Sequence, residues 1–353
     1  MYQIMFKHQS FIDKIITAGG GHNLSKNSNA LDYLEQNPSI IDWDLLCENK
    51  NPLAIKLLEE NLDRLTTKGW NNLCGNINAV HIIEQNLDRI NNTSFINLCK
   101  NQNAIHLIEM NLHRLTSNTL FYLCSNINAI SIIEKYIDKL NNYAWYSLCS
   151  NPNAIPLIEA NLSKLNDECW LYLCSNMNAI ELIEINLDHF DAHYWSYICS
   201  NSNAIELLEM NLDKLNHKCW VYLCMNTNPD AIKIIENNLD KLDDDCWWNL
   251  SCNMNAIHLL EMNKDKIDLF ALSKNQNGLH LFEKNLILND WAFMELNPSL
   301  FDLDYIEMSK ERSSIIYHEL IAKALKPSTV HKWLDYFLEQ GNGIEDFDWI
   351  TTN

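Results

Sequence analysis

The stretch that decides the fold is Asn151–Ser175, which reads NPNAIPLIEANLSKLNDECWLYLCS. After a divergent first unit at residues 27–48, variants of it begin at Asn49, Asn76, Asn101, Asn126, Asn151, Asn176, Asn201, Asn226, Asn253 and Asn275. One unit repeated at a fixed period is typical of stacked architectures, in which each unit contacts its neighbours. The sequence therefore predicts about eleven copies of a 25-residue unit rather than several independent domains.

Each unit divides into two short helices. Asn153 and its copies precede Ala-Ile or a close variant, and Pro156 suits the first helical turn, so we expect the first helix to begin at the Asn153 position. A second run of capping residues comprises Thr66, Asn91, Thr116, Asn141, Asn166, Asp191, Asn216 and Asp243. An apolar residue precedes each of them, and a Trp, Phe or Leu follows four positions later, which is the spacing of a hydrophobic staple. The unit is thus a helix-turn-helix.

Helices of about eight residues are unstable alone because nucleation is costly. We therefore expect an all-α fold, an α-solenoid in which stacking stabilises the units. At about 8–10 Å per unit it would span on the order of 100 Å, less any curvature. The predicted divisions are an N-terminal helix with a glycine-rich join (1–26), the repeat array (27–296) and a C-terminal helical cap (297–353). Asn297-Pro298-Ser299 echoes Asn37-Pro38-Ser39, and we interpret the two ends as related polar caps.

The composition and net charge of the chain argue against several classes of function. A formal charge of -20 argues against nucleic acid as the main partner, and no stretch has the roughly 18 continuous apolar residues of a membrane helix. The N-terminal residues lack the pattern of a signal peptide, so we expect a non-secreted protein in a reducing compartment. Seven cysteines stand 25 residues apart, from Cys74 to Cys224, which indicates a ladder of buried thiols rather than disulfides.

The residues that recur in every unit are interpreted as a structural ladder: Asn153, Glu159, Trp170 and Cys174 with their copies. A line of glutamates could bind cations, but we favour hydrogen bonds from the next unit's free backbone N–H groups. Asn161 and its copies suit a helix C-terminal turn through left-handed geometry. The tryptophans could stack on bases, but their staple position indicates core. No zinc-type spacing and no nucleophile with a base is present, so we expect no metal, no cofactor and no enzymatic activity.

Variable positions are where a partner would be recognised. We predict a partner-binding surface from exposed side chains of both helices, comprising Tyr122, Tyr146, Tyr172, Tyr197, Tyr222, Trp248, Met110, Ile185, Met210 and Met262. Tyrosine is enriched at interface hot spots, and soluble proteins avoid large exposed apolar patches. The alternative for the tyrosines is that they cover the seam between units.

The stretch Asn151-Pro152-Asn153-Ala154-Ile155, with Glu159, Asn161 and the later Lys326-Pro327-Ser328, resembles the short asparagine-rich helical repeats of large double-stranded DNA viruses. The resemblance covers residues 27 to about 345 and implies a viral protein of the host cytoplasm or the virion. We expect a non-enzymatic scaffold that binds partner proteins along one extended face, with no nucleic-acid or membrane partner. The alternative is a structural virion component, such as a minor capsid or internal protein. The oligomeric state does not follow from the sequence.

Overall fold

A computed structural model describes residues 6–17, 21–282 and 291–339. Gly19 and Gly20 of the predicted glycine-rich join lie outside these ranges. By its contacts the chain divides into two compact units, Ser10–Phe301 and a second one made of residues 1–9 and 302–353. We call the first unit the array.

The described chain is all-α, and its one β feature there is an isolated bridge between Phe6 and Leu303. The α-helices of the described residues are α1 Gln9–Thr17, α2 Leu31–Gln36, α3 Trp43–Leu46, α4 Pro52–Glu59, α5 Thr67–Cys74, α6 Val80–Gln85, α7 Asn92–Lys100, α8 Ile105–Glu109, α9 Ser117–Cys124, α10 Ile130–Lys135, α11 Asn142–Cys149, α12 Ile155–Glu159, α13 Asp167–Cys174, α14 Ile180–Ile185, α15 Ala192–Ser200, α16 Ile205–Glu209, α17 His217–Cys224, α18 Pro229–Glu236, α19 Asp244–Cys252, α20 Ile257–Met262, α21 Leu269–Leu272, α22 Tyr305–Ala324 and α23 Pro327–Glu339. Short 3-10 turns, such as Leu162–Lys164, join the first helix of a unit to the second. The predicted all-α solenoid is confirmed.

The second helices begin where the sequence predicts. The side chains of all eight predicted caps accept a hydrogen bond from a backbone N–H of the first helical turn, as Asn166 does from Cys169 at 3.0 Å. Successive second helices pack side by side, and the residue four positions after the cap lies against this seam, as Trp195 does with 2% of its surface exposed. Capping and the staple therefore set the register of the core.

The predicted start of the first helix is wrong for most units. The side chain of Asn151, not of Asn153, accepts a backbone hydrogen bond at the start of the unit, and a 3-10 turn, Pro152–Ala154, precedes α12. Pro156 then falls at the second position of α12, where its missing N–H costs nothing. Only Asn51 and Asn228, which precede prolines in the longer units, cap the first helix as predicted among the described residues.

The first asparagine of each unit forms a buried ladder. Asn176, for example, donates from Nδ2 to the carbonyl oxygens of Cys149 (2.8 Å) and Asn151 (3.0 Å) in the preceding unit. Its Oδ1 accepts from the backbone N–H of Asn178 at 3.0 Å, so the buried amide is satisfied on both sides. The same pattern holds for Asn27, Asn49, Asn76, Asn101, Asn126, Asn151, Asn176, Asn201, Asn226, Asn253, Asn275 and Asn297. We call these residues the asparagine ladder.

The first residue of the asparagine ladder hydrogen-bonds to the last unit of the array. Nδ2 of Asn27 donates to the carbonyl oxygens of Glu295 (2.9 Å) and Asn297 (3.0 Å), as every other member does to the unit before it. The buried carboxylate of Glu295 accepts from the backbone N–H groups of Gly21 and Asn23, both at 2.8 Å. The first and last units of the array are therefore neighbours, and the array closes on itself.

This closure corrects the interpretation of the two ends. Asn297 is a member of the asparagine ladder, whereas Asn37 ends α2 and donates from Nδ2 to the carbonyl of Tyr33 at 2.9 Å. The two Asn-Pro-Ser segments thus occupy different places in the unit, and the end units of the array meet each other rather than forming separate polar caps. Asn161 likewise donates to Leu157 four residues earlier, at 2.9 Å, with φ at -133°, so its side chain and not left-handed backbone ends the helix.

The second compact unit contains α22 and α23 and is built differently. Lys7 donates from its backbone to the carbonyl of Asp302 at 2.9 Å, beside the bridge between Phe6 and Leu303. Asp304 caps α22 by accepting from the N–H of Glu307 at 3.0 Å. None of the described residues of α22 and α23 is buried.

Candidate functional site

The candidate site is a row of aromatic side chains on the second helices, comprising Tyr122, Tyr146, Tyr172, Tyr197, Tyr222 and Trp248. We call it the tyrosine row. Tyr172 lies six residues after its cap, Asn166, and about 200° around the helix from the staple residue at four. Such a position turns away from the seam that buries the staple residue. Tyr122, Tyr197 and Tyr222 occupy the same position as Tyr172, whereas Tyr146 and Trp248 lie five residues after their caps. Tyr172 and Trp248 are exposed, each at 39%, and the other four are half-buried.

The rings of the tyrosine row contact each other across the seams. Tyr146 stacks on Tyr172, with ring centroids 5.7 Å apart and planes 15° apart, and Tyr197 lies 5.7 Å from Tyr222. These pairs join neighbouring units, so the seam-covering role weighed from the sequence is part of the structure. Stacked rings also present a firm apolar surface, because contact holds each ring in place.

The hydroxyl groups along the tyrosine row differ in their hydrogen bonding. Tyr146 Oη accepts from Nδ2 of Asn166 at 3.1 Å, whereas the hydroxyls of Tyr122, Tyr172, Tyr197 and Tyr222 have no hydrogen-bond partner among the described residues. The serines beside them are satisfied locally, as Ser175 donates to the carbonyl of Tyr172 at 2.8 Å and Ser200 to that of Tyr197 at 2.7 Å. A ligand on this surface would therefore contact serine hydroxyls that already donate within the chain. It would also contact four phenol hydroxyls that have no partner among the described residues.

Each end of the tyrosine row carries a lysine against an aromatic ring. Lys100 Nζ lies 4.3 Å from the ring centroid of Tyr122, and Lys274 Nζ lies 5.3 Å from that of Trp248. At the Trp248 end the row continues into a cavity of about 420 Å³, lined by Met225, Trp248, Cys252 and Met254 among others. Met225 and Met254 are 54% and 50% exposed. The cavity can accommodate apolar groups of different shapes, because methionine side chains are flexible and polarisable.

One acidic side chain, Glu168, influences a ring of the tyrosine row. Burial, and then the neighbouring Tyr222, Tyr172 and Glu168, raises the pKa of Tyr197 above its usual value. The phenol of Tyr197 is therefore a neutral donor at physiological pH, and Glu168 favours a basic group of a partner at this point of the row.

The first helices present the other predicted partner residues. Met110, Ile185, Met210 and Met262 are 60%, 81%, 70% and 70% exposed. They occupy one register position, the residue after the recurring glutamate, and the units between them carry Lys135, Ala160 and Asn237 there. The apolar character of this position is interrupted, which makes it a less continuous surface than the tyrosine row.

The recurring glutamates do not accept backbone hydrogen bonds from the next unit in the described part of the chain. Where they have a partner, it is a histidine of the next unit, as for Glu59 with His81 (2.5 Å) and Glu261 with His280 (2.8 Å). Glu159 faces the register position of Glu181 instead, and both are exposed. The expected backbone contact fails because the carboxylate lies on the outer face of the helix, where it meets side chains.

The other residues of the predicted structural ladder lie in or beside the core. Cys174 is fully buried, and burial raises the pKa of its thiol to about 12. Asn153 donates to the carbonyl of Ile127 in the preceding unit at 2.9 Å. Trp170 is only half-buried, unlike Trp195 and Trp220, while the next residue, Leu171, is buried.

Sequence reasoning missed three cysteine pairs between neighbouring units: Cys149 with Cys169, Cys199 with Cys219, and Cys224 with Cys246. The neighbouring Cys149 thiol lowers the pKa of Cys169 below its usual value. The signal was present, since an extra cysteine stands at the third helical position of α13, α17 and α19. The described residues contain no group of three or more His, Cys, Asp or Glu side chains arranged to hold a metal ion.

No protein-family model, curated protein or solved structure matches this chain. Among the described helices, none combines the length and apolar character needed to cross a membrane.

Proposed function

We propose that this chain is a non-enzymatic scaffold that binds a partner protein along the tyrosine row. The observation that carries the proposal is a row of partly exposed aromatic rings beside an apolar cavity, in which four hydroxyls have no hydrogen-bond partner among the described residues. Tyrosines of this kind combine large contact area with low conformational entropy, which suits them to interface hot spots.

The chemistry of the surface describes the partner. Stacked rings and the methionine-lined cavity favour aliphatic or aromatic side chains, and the free phenol hydroxyls favour backbone carbonyls of the partner as acceptors. Glu168, which raises the pKa of Tyr197, favours a basic residue at that point, so an apolar segment with a basic residue fits best. With the resemblance to viral repeats, this suggests a protein that meets host or viral partners in an infected cell.

The test is affinity purification of the tagged chain from infected or expressing cells, followed by mass spectrometry. The variant is Tyr172→Ser/Tyr197→Ser/Tyr222→Ser, and the matched control is Met110→Ser/Ile185→Ser/Met210→Ser on the first helices. We expect specific partners to be retained by the wild type and the control and reduced about tenfold or more by the tyrosine variant. An identical set of partners for all three proteins would refute the tyrosine row as the docking surface.

The closed asparagine ladder favours a second candidate, a structural component of a virion. A closed array with paired polar groups is suited to brace other subunits, because no end unit is free to fray. Quantitative proteomics of purified particles tests it: stoichiometric abundance of this chain supports the structural role, and its absence from the particles rules that role out.

A further inference from the structure

The second helices, which carry the tyrosine row, form the inner wall of the closed array. Each of them packs directly against the next from α3 to α21, and the 3-10 turn His22–Lys26 packs against both α3 and Trp291–Leu296. Contacts between successive first helices are much sparser. In a closed ring the inner elements lie closer together than the outer ones, so the first helices form the outer layer.

The tyrosine row faces the space that the array encloses. In α17 the buried residues are Cys219, Trp220, Leu223 and Cys224, which belong to the core between the two layers, and Tyr222 lies on the other side of the helix. Rings of neighbouring units come within 5.7 Å of each other between centroids, which is less than the about 8–10 Å between the axes of packed helices. Such side chains converge, as they do on a concave surface.

The enclosed space admits a segment of chain but not a folded domain. Twelve units, counted by the asparagine ladder and spaced about 8–10 Å apart, form a ring roughly 30–40 Å across between helix axes. Subtracting one helix diameter of about 10 Å leaves an opening of roughly 20–30 Å, which the tyrosine side chains narrow further. A domain of about 100 residues has a radius of gyration of about 13 Å and is therefore more than about 30 Å across.

The free phenol hydroxyls select the conformation of this segment. Those of Tyr122, Tyr172, Tyr197 and Tyr222 have no partner among the described residues, so a ligand that supplies acceptors satisfies them. An α-helix has already used its carbonyl groups, and a β-strand brings as many N–H donors as acceptors. A polyproline II segment exposes its carbonyl groups, and each proline lacks an N–H group. Segments of this kind also pack on aromatic side chains in recognition grooves.

Charge indicates where a basic residue of the segment lies. Glu168 is exposed and stands four residues before Tyr172, on the same side of α13. The corresponding residue before Tyr222 is Lys218, whose Nζ lies 5.7 Å from the ring centroid of that tyrosine. A basic residue therefore fits beside Tyr172 rather than beside Tyr222.

We propose that the tyrosine row binds, inside the closed array, an extended proline-rich segment of a partner protein with a basic residue beside Glu168. Six residues of polyproline II span about 19 Å, and two units of the array advance by about 16–20 Å. The segment thus extends from the pair Tyr146 and Tyr172 to the pair Tyr197 and Tyr222. The inference rests on the proposed function, because it names the class of partner for the same surface.

The test is fluorescence anisotropy of a labelled peptide titrated with the purified full chain. The peptide is one arginine followed by four Pro-Leu-Pro repeats, and in its control alanine replaces every proline, which favours a helix. We expect the proline peptide to bind at least about tenfold more tightly than the alanine peptide. Equal affinities for the two peptides, or no saturable binding of the proline peptide, overturn the proposal.

The matching protein variant is Tyr172→Phe/Tyr197→Phe/Tyr222→Phe, which removes three hydroxyls and keeps the rings. It should bind the proline peptide about tenfold or more weakly than the wild type, since three hydrogen bonds are lost. The control on the outer layer, Met110→Ser/Ile185→Ser/Met210→Ser, should bind as the wild type does. An unchanged affinity of the phenylalanine variant, or an equal loss in the control, overturns the proposal.

Two further comparisons complete the test. Glu168→Gln should weaken binding of the arginine-containing peptide about threefold and leave a version without arginine unchanged, and an equal effect on both peptides overturns the charge contact. If the serine variant of the tyrosine row loses its partners in affinity purification while the proline peptide fails to bind, the proposed function stands and this inference fails.

Discussion

The array and the C-terminal helices α22 and α23 differ in how far their side chains are buried. In the array, buried amides such as Asn176 make three hydrogen bonds, and staple residues such as Trp195 are 2% exposed. In the C-terminal helices, Trp333 is 59% exposed and no described residue of α22 or α23 is buried. The array therefore contains a buried core, whereas the described residues of α22 and α23 form none. Single substitutions should affect the two regions very differently.

The largest effect is expected in the asparagine ladder. Asn176→Ala removes two donor contacts and one acceptor contact between buried or half-buried groups, and we expect a loss of about 3–5 kcal/mol in the free energy of unfolding. Its control, Asn178→Ala, removes one contact from an exposed side chain to Pro152 and should cost about 0.5–1.5 kcal/mol. Urea denaturation checks both, and equal losses would mean that the ladder is not a special source of stability.

Replacing one tryptophan by alanine in each region compares their contributions to the free energy of unfolding. Trp195→Ala opens a cavity in the core and should cost about 3–5 kcal/mol, whereas Trp333→Ala should change the unfolding of the array by about 0.5 kcal/mol or less. Trp170→Ala should fall between them, at about 2 kcal/mol, because Trp170 is half-buried. Thermal and urea unfolding measure the order. A loss at Trp333 as large as that at Trp195 would contradict the difference in burial between the two side chains.

Closure of the array depends on Glu295. Glu295→Ala leaves the backbone N–H groups of Gly21 and Asn23 without their acceptor, which should destabilise the array by about 2–3 kcal/mol. Glu159→Ala, at an exposed position of the array, is the control and should change the free energy of unfolding by about 0.5 kcal/mol or less. Denaturant unfolding separates the two, and similar midpoints for both variants would show that the ends do not depend on each other.

The smallest effect concerns an exposed ion pair between neighbouring second helices, His217 with Asp243. The hydrogen bond and charge of Asp243 raise the pKa of His217, and the contact lowers the pKa of Asp243 to about 2. The histidine contribution is therefore present below about pH 6.5 and is lost as the pH rises through the raised pKa. The aspartate contribution is present above about pH 3.9 and is lost as the pH falls toward the lowered value.

Replacing this histidine should remove that pH dependence. We expect His217→Gln to lower the thermal midpoint by about 1 °C between pH 4 and 6 and to leave it unchanged at pH 9. Differential scanning calorimetry at the two pH values checks the difference. A deficit that is the same at both pH values would mean that packing of the ring, rather than its charge, is responsible.

Local chemistry made much of the array predictable. The caps of the second helices could be located because Asn166 and its counterparts stand at a fixed distance before the staple residue, and both signals act within one turn of helix. The first helix was misplaced because Asn151 and Asn153 are both good caps locally. The choice between them depends on carbonyl groups of the preceding unit, which the sequence of one unit does not contain.

Closure lay beyond sequence reasoning for a different reason. It depends on the small rotation between units accumulated around the whole array, and the contacts that reveal it join residues as far apart as Gly21 and Glu295. The tyrosine row was predicted as a set of positions, since Tyr172 lies opposite the staple on its helix. Its stacked pairs and the adjoining cavity depend on how neighbouring helices pack, so they became visible only in the structure.

The central claim is that the array closes on itself, and native-state hydrogen exchange of its end units tests this directly. In an open solenoid the end units fray, so their amides exchange fastest. The closed asparagine ladder predicts that the amides of Gly21, Asn23 and Ser299 are protected as strongly as that of Asn153 in the middle of the array. Exchange at Gly21, Asn23 and Ser299 near the rate of an unstructured chain, with Asn153 protected, would contradict closure.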